Sequence, residues 1–457
     1  MSFQYTRSIA NISSCDVLVI GGGPAGVSAA LSAARNHVDT LLVERYGMLG
    51  GMATMGMVGP FMTSYDGASE RMIIKGNYDE IMKRAAALGG AVHPSEVRCG
   101  TSYTSYIVKG HDHCGPFDSE TLKIVLEDMM AEAGVKVLFN TSFIDTVTEN
   151  DTIKYVVVHN KSGISAIQPK IVIDCSGDAD VAVAAGVETV LGCGPEMNNH
   201  MQPATLFFEM ENVDSEKVTA YIDENRHLIT QLFAGPFNWL VKKGRETGEW
   251  DISRNEIGMY ETAVHGRWKV NTTRINDVDA TDPAQLTAAQ IDGRKQAQRV
   301  FHFIKKYIPG CENATFINSA PVLGIRESRH IVGQYVLDKG DIIACRRFED
   351  TIMICSNSMD IHSAVGAGGE YITIPTYYGI PYRSLLPKNC ENLLVAGRTI
   401  SATSDAASSF RVMPPCFALG QAAGTAAAQS LGTQKSLFDV DIAVLQETLR
   451  SQGAVLE

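Results

Sequence analysis

Three glycines and one acid form the first pattern with chemical meaning: Gly21, Gly23 and Gly26 in Gly-Gly-Gly-Pro-Ala-Gly, then Glu44, 18 residues past the last of them. In a Gly-x-Gly-x-x-Gly spacing the first glycine permits a tight turn. The second lets backbone approach a pyrophosphate, and the third lets a helix touch a strand. The N-terminus of that helix then faces the phosphates with its positive dipole end, and the distant acid suits the hydroxyls of a ribose. This is dinucleotide chemistry. A second set of residues could move protons or hold anions. His362, in Asp360-Ile361-His362, is the first candidate for a proton acceptor, its alternative being a loop histidine satisfied by its neighbours. Arg326, Arg329, Arg383, Arg398 and Arg411 stand beside glycine motifs in an acidic chain. Their forked donors suit a carboxylate or phosphate, unless they pair with Glu327 or Glu370 on the surface. Tyr377, Tyr378 and Tyr382 flank Gly379 and either wall a pocket for a sugar or aromatic group or pack an interface.

The elements that must position these groups read clearly in places. Asp16 to Ile20 is an apolar run too short for a buried helix and closes on Gly21, so it reads as a buried parallel strand. Alanine-rich Val27 to Arg35 reads as a helix, and Thr40 to Val43 as a strand that ends at Glu44. Strand, glycine turn, helix, strand and acid make one right-handed crossover unit. A helix is expected from Asp118 to Met130 with Gly134 at its end, then a strand over Val135 to Phe139. Residues 142–170 alternate as a small meander would, turning at Lys161-Ser162-Gly163, before Ile171-Val172-Ile173 and Asp174-Cys175-Ser176-Gly177-Asp178. Late in the chain, Asn392 to Ala396 reads as a strand entering Gly397-Arg398, and Pro414 to Ser430 as a small-residue helix whose Gly420, Gly424 and Ala428 give a thin face. Val365-Gly366-Ala367-Gly368-Gly369 precedes a strand-like run rather than a helix, so no second dinucleotide fingerprint is present.

Composition narrows the class. With 457 residues the chain is long enough for two or three lobes. Its formal charge of -12, spread without a basic run, makes nucleic acid and anionic membranes poor partners. No apolar run approaches the roughly 20 residues of a membrane span, and the first residues lack the pattern of a secretory signal. Ten scattered cysteines without a Cys-x-x-Cys pair point to a reducing, cytoplasmic compartment and away from a disulfide scaffold. His111, His113 and Cys114, near His93 and Cys99, lack the usual second ligand pair, and no metal is expected.

Several segments together resemble the FAD-dependent oxidoreductases of the two-dinucleotide-binding-domain superfamily, related to thiazole synthase-like and glutathione reductase-type flavoproteins. They are Val17 to Thr54, Ile171 to Asp180, Gly324-Ile325-Arg326-Glu327-Ser328-Arg329, Asp360-Ile361-His362, Ile380 to Pro387, Ala396 to Thr403 and Gly420 to Gly424. The resemblance spans nearly the whole chain, more weakly between about 195 and 320. It implies FAD as cofactor and an α/β fold: a Rossmann-like FAD-binding domain with parallel sheet and β-meander, plus an inserted α+β substrate or cap domain. The expected boundaries are 1–60, 115–190 and 386–457 for the FAD-binding domain, 61–114 for an insert contributing to the substrate domain, and 191–385 for the substrate domain itself. Carried over by residue, Gly21, Gly23 and Gly26 hold the pyrophosphate and Glu44 the adenosine ribose, with Pro24, Ala25 and Arg45 also counted in the cofactor site. Gly50 and Gly51 run beside the flavin, with Met52, Ala53 and Thr54 also counted in the cofactor site. Gly177 and Asp178 lie near the adenosine half, Gly397 and Arg398 near the ribityl phosphate, and the helix at Pro415 and Cys416 aims its amides at the flavin. Cys416 is either redox-active or simply buried. Where the family often carries histidine after the Ala-Thr pair, this chain has Ser404.

The expected activity is hydride transfer between FAD and a small polar metabolite, anionic or sugar-like: a sugar, polyol or hydroxy acid. His362, Arg326, Tyr382 and Arg383 are the candidates on the substrate side. Two other readings stand beside it, a non-redox thiazole synthase-like enzyme that uses a nucleotide as reactant, and a subunit that holds FAD for a partner. Assembly into a homo-oligomer is left open.

Overall fold

The computed structural model describes residues 12–229, 237–364 and 366–457, with residues 6, 8 and 9; Val365 of the late glycine run lies outside them. Parallel strands Lys136–Leu138, Thr40–Val43, Ile12–Ile20 and Gly163–Asp174 lie side by side in that order, and Leu393–Val395 pairs along the far edge of the last. Strands Ser142–Glu149 and Thr152–Asn160 complete the sheet as an antiparallel meander. Neutral apolar residues fill the centre because every central strand is covered on both faces. Val17, Leu18, Val19, Leu42, Val172, Ile173 and Leu394 are fully buried.

Two strands run longer than their apolar cores. The first begins at Ile12 because Ile12 to Cys15, mostly exposed, pair with Ala166 to Pro169 of the meander. The segments on either side of Pro169 form one continuous strand, Gly163–Asp174. Their pairing comes from distant partners, so neither extension carries a local signal.

The helix after the glycine turn, Pro24–Arg35, packs along the late helix Met413–Thr433. The contact needs glycine. A methyl group on Gly420 or Gly424 would stand 2.0 or 2.1 Å from the backbone carbonyl oxygens of Ala25 and Ala29. Gly424→Val is therefore expected to lower stability by about 1–3 kcal/mol or more through overpacking, read as an earlier midpoint in denaturant unfolding.

The middle of the chain builds a second core around an antiparallel sheet ordered Thr315–Ser319, Phe208–Glu211, Trp268–Val270, Met259–Glu261. Helix Pro283–Tyr307 contributes Val300, Phe301, Phe303 and Ile304 to it, against Phe208, Trp250 and Trp268. This aromatic core draws on residues from Phe208 to Phe316, with Tyr106 inserted from the early insert. Strands Thr351–Cys355 and Tyr378–Pro381 instead bury Ile352, Ile354 and Ile380 in the core of the parallel sheet and its helices. Among the described residues no helix is long and apolar enough to cross a membrane.

Candidate functional site

At the carboxyl ends of the parallel strands lies a cleft of about 610 Å³, its floor formed by Gly21, Gly23, Pro24 and Ala25. The turn closes because Gly26 meets Gly21 with no room for a side chain: an added methyl would stand 1.7 Å from the Gly21 carbonyl oxygen. Gly23 differs. Its backbone is extended (φ -73°, ψ -173°), and an added methyl would find no protein atom nearer than 3.9 Å. That methyl would project into the cleft. Helix Pro24–Arg35 begins there with no side-chain cap and no acid in its first turn. An open floor under uncapped amides at a positive dipole end fits a pyrophosphate.

The walls fit the rest of a dinucleotide. Glu44 is buried, one carboxylate oxygen accepting from the Gly22 N–H at 2.6 Å and the other from the Tyr46 N–H at 2.8 Å. Burial pushes its carboxyl up, opposed by those amides and by Arg45. Arg45 stands over the Tyr46 ring, 4.9 Å from its centroid. Arg398 pairs with Asp178 at 2.7 Å and donates a second bond to the Ile325 carbonyl at 2.7 Å, while its Nε has no partner. Burial pushes Asp178 up, but Arg398, Ser328 and Arg45 outweigh it and hold the carboxyl below the usual range. Asp180, also in the wall, is pushed up to about 6 by burial and by Asp178 and Asp174.

Arg411 joins this cleft to a second, charged site. It lines the cleft, and its Nη2 donates to the Asp360 carbonyl at 3.2 Å and to Gln202 Oε1 at 3.3 Å. Asp360 and His362 lie on strand Met359–His362, one arm of a hairpin with Gly369–Ile372. His362 Nε2 lies 2.9 Å from Asp360 Oδ2, and Arg274 Nη1 lies 3.5 Å from His362 Nδ1. A guanidinium only donates, so the proton of the neutral ring belongs on Nε2, facing Asp360, and the lone pair on Nδ1. Arg274 also donates to the carbonyls of Ser363, Gly366 and Gly368, tying down the hairpin tip. Arg326 donates to the Pro203 carbonyl at 2.6 Å and Thr205 Oγ1 at 2.8 Å. It is pushed down to about 9 by burial and by Arg411 and Arg254. The Asp360 carboxyl is held well below the usual range, since His362, Arg411 and Arg326 outweigh its desolvation.

Of the residues expected to hold the cofactor, Gly21, Gly23, Pro24, Ala25, Glu44, Arg45, Gly51, Met52, Gly177, Asp178, Gly397, Arg398 and Cys416 line the cleft. Gly26, Gly50, Ala53, Thr54 and Pro415 stand behind that lining. Thr54 Oγ1 donates to the Leu49 carbonyl at 2.6 Å, and the Ala53 carbonyl accepts from Ser119. The late helix starts at Met413, so Pro414 and Pro415 fill its first turn without N–H groups, and the expected set of amides is reduced there. Burial pushes the Cys416 thiol up to about 12, which disfavours a thiolate at that position.

On the substrate side the structure gathers His362, Arg326 and Arg411 and sets two candidates apart. Arg383 is half-exposed and paired with Asp350 at 2.8 Å, and Tyr382 is buried with its hydroxyl donating to the Leu437 carbonyl. Both belong to a short helical turn over the parallel-sheet core, away from the cleft lining. Arg383→Met is accordingly expected to leave kcat and KM unchanged in steady-state assays. Tyr378 is likewise buried, bonded to Ser409 at 2.7 Å, and Tyr377 lies under Arg347. His93 pairs with Asp79, and His113 stacks on Tyr65.

Sequence reasoning missed Gln202, Arg254 and Arg274, which come from the middle region and belong to no motif. It also missed Thr287, Gln290 and Arg294, one face of helix Pro283–Tyr307 that walls the cleft. Their spacing of three and four residues was the available signal.

A family model described as FAD dependent oxidoreductase matches residues 16–449. Digeranylgeranylglycerophospholipid reductase of Thermoplasma acidophilum is 21% identical over 278 residues, 56% of this chain and 59% of the relative. Thiamine thiazole synthase of Methanococcus maripaludis is 28% identical over 176 residues, 37% of this chain and 58% of the relative. The chloroplastic geranylgeranyl diphosphate reductase of Nicotiana tabacum is 32% identical over 126 residues, 27% of this chain and 24% of the relative. The chain thus spans between about a quarter and three-fifths of the curated relatives it matches. Among solved structures, a geranylgeranyl bacteriochlorophyll reductase-like protein of T. acidophilum superposes with a TM-score of 0.47 at 14% identity, covering 97% of this chain and 85% of the other.

Proposed function

This chain belongs to the FAD dependent oxidoreductase family, and we propose that it transfers a hydride between FAD and a small polar metabolite bound beside His362. One observation carries the reading: Arg411 lines the nucleotide cleft and at the same time bonds the strand that bears Asp360 and His362. Bound FAD supplies the two-electron acceptor or donor. The protein supplies position and a proton relay. Gly23 and the uncapped helix start leave room and donors for the pyrophosphate, Glu44 offers its carboxylate to the ribose, and Arg398 keeps an unpaired Nε at the wall. His362 receives or returns the substrate proton at Nδ1, the position that Arg274 Nη1 faces at 3.5 Å and yields when substrate binds, while Asp360 fixes the ring tautomer from the other side.

The test is the visible spectrum of the purified holoprotein under anaerobic addition of candidate alcohols, hydroxy acids and amines. Flavin bands that bleach with one class support the reading and identify the donor. Bands that persist with every donor, in a protein that a chemical reductant does bleach, overturn it in favour of a flavin held for a partner.

A further inference from the structure

We infer that the substrate is recognised through a single carboxylate, held by Gln202, Arg326 and Arg411 beside His362. The inference rests on the reading above and narrows it. Gln202 is almost fully buried, and its orientation is fixed by chemistry: Oε1 accepts from Arg411 Nη2 at 3.3 Å and from the His362 N–H at 3.5 Å. Both partners are donors, so the amide cannot be turned round. Its Nε2 is left buried without an acceptor, and so is the Nε of the neighbouring Arg411. Buried donors without partners are costly, and a ligand acceptor removes that cost.

Charge selects the acceptor. Arg254, Arg274, Arg326 and Arg411 act on one another here, opposed by Asp360, by Glu256 paired with Arg254 and by Glu327, whose carboxylate accepts from the Gln202 N–H. Arg398 also acts on Arg411 and is paired with Asp178, so five guanidinium groups face four carboxylates and leave one positive charge in excess. Guanidinium groups do not release their protons in this setting, so the excess is relieved by an anion rather than by titration. One carboxylate balances it; a phosphate dianion would reverse the sign, and an uncharged polyol would leave the charge uncompensated. The same carboxylate would fix the substrate at one end, with the reacting carbon and its proton toward His362.

The experiment is a titration of the oxidised holoenzyme, followed by perturbation of the flavin spectrum. The probes are acetate, glycolate and lactate, each compared with acetamide, glycolamide or lactamide, and inorganic phosphate, with sodium chloride as the ionic-strength control. The carboxylates are expected to bind at least about tenfold more tightly than their amides and than phosphate. Gln202→Glu keeps the acceptor for Arg411 and replaces the unpaired donor by negative charge, and it is expected to weaken carboxylate binding by about tenfold or more. Arg326→Gln is the second variant, and retained flavin absorbance with an unchanged melting temperature checks that each is folded. Equal binding of amides and acids, tighter binding of phosphate, absence of any perturbation, or carboxylate binding indifferent to Gln202→Glu overturns the inference. Bleaching by an uncharged polyol overturns it while leaving hydride transfer intact. Carboxylate binding that depends on Gln202, in a flavin that no donor bleaches, supports the anion site and removes the hydride-transfer reading instead.

Discussion

Gly23→Val is expected to yield a folded protein that purifies without flavin. The residue occupies extended backbone that valine adopts freely, and its side chain would enter the cleft where the nearest protein atom to the first carbon is 3.9 Å away. Folding is therefore undisturbed, while the branched side chain covers the first-turn amides of helix Pro24–Arg35 that suit a pyrophosphate. Gly26→Val supplies the contrast. There the first carbon would lie 1.7 Å from the Gly21 carbonyl oxygen, so the turn itself must open. The measurement is the ratio of flavin to protein absorbance, taken with the melting temperature. Gly23→Val should lose the flavin and keep the melting transition of the wild-type apoprotein; Gly26→Val should lose both. A flavin-replete Gly23→Val protein would show that the cofactor does not use this floor.

His362→Ala should retain FAD and lower kcat by about 10²- to 10⁴-fold, the range for removing a positioned proton acceptor. Removal from water pushes His362 down to about 4; Asp360 opposes this, and Arg326 and Arg411 add to it. The sign matters for the pH profile. A depressed histidine pKa favours the neutral ring, so the proton-accepting form persists at every pH above about 4. In the free enzyme the acidic limb of kcat/KM is thus expected near pH 4 instead of about 6.5, where an unperturbed histidine titrates. Folding stability follows the same sign: the folded state binds fewer protons than the unfolded one over this window, so stability falls as pH drops from about 6.5 toward 4. Rate measurements across pH on wild type and His362→Gln check the first point, and denaturant unfolding of both across the same range checks the second. An acidic limb near 4 that survives in His362→Gln assigns it to another group.

The crossover unit was legible because each of its signals is local. Glycine spacing, an alanine-rich helix, short apolar strands and an acid at a strand end state their roles within a few dozen residues, and the structure places Gly21, Gly23 and Glu44 together in one cleft. The late helix was legible for the same reason, since Gly420 and Gly424 announce a close backbone approach. Extensions such as Ile12 to Cys15 were not, because their pairing partners lie about 150 residues away.

The substrate side divides differently. Residue types and their order alone mark His362 and several arginines as available, and their glycine-rich surroundings as special backbone. Tertiary structure alone decided which of them meet. It brought Arg326 and Arg411 to Asp360 and His362, and it sent Arg383 to Asp350 and the Tyr382 hydroxyl to Leu437. It also added Gln202, Arg254 and Arg274, which no motif marks. The physical reason is that dinucleotide binding uses backbone, whose demands are written into consecutive residues, whereas recognition of a substrate uses side chains from separate segments. Their charges and unpaired donors acquire meaning only when folding places them within a few ångströms of one another.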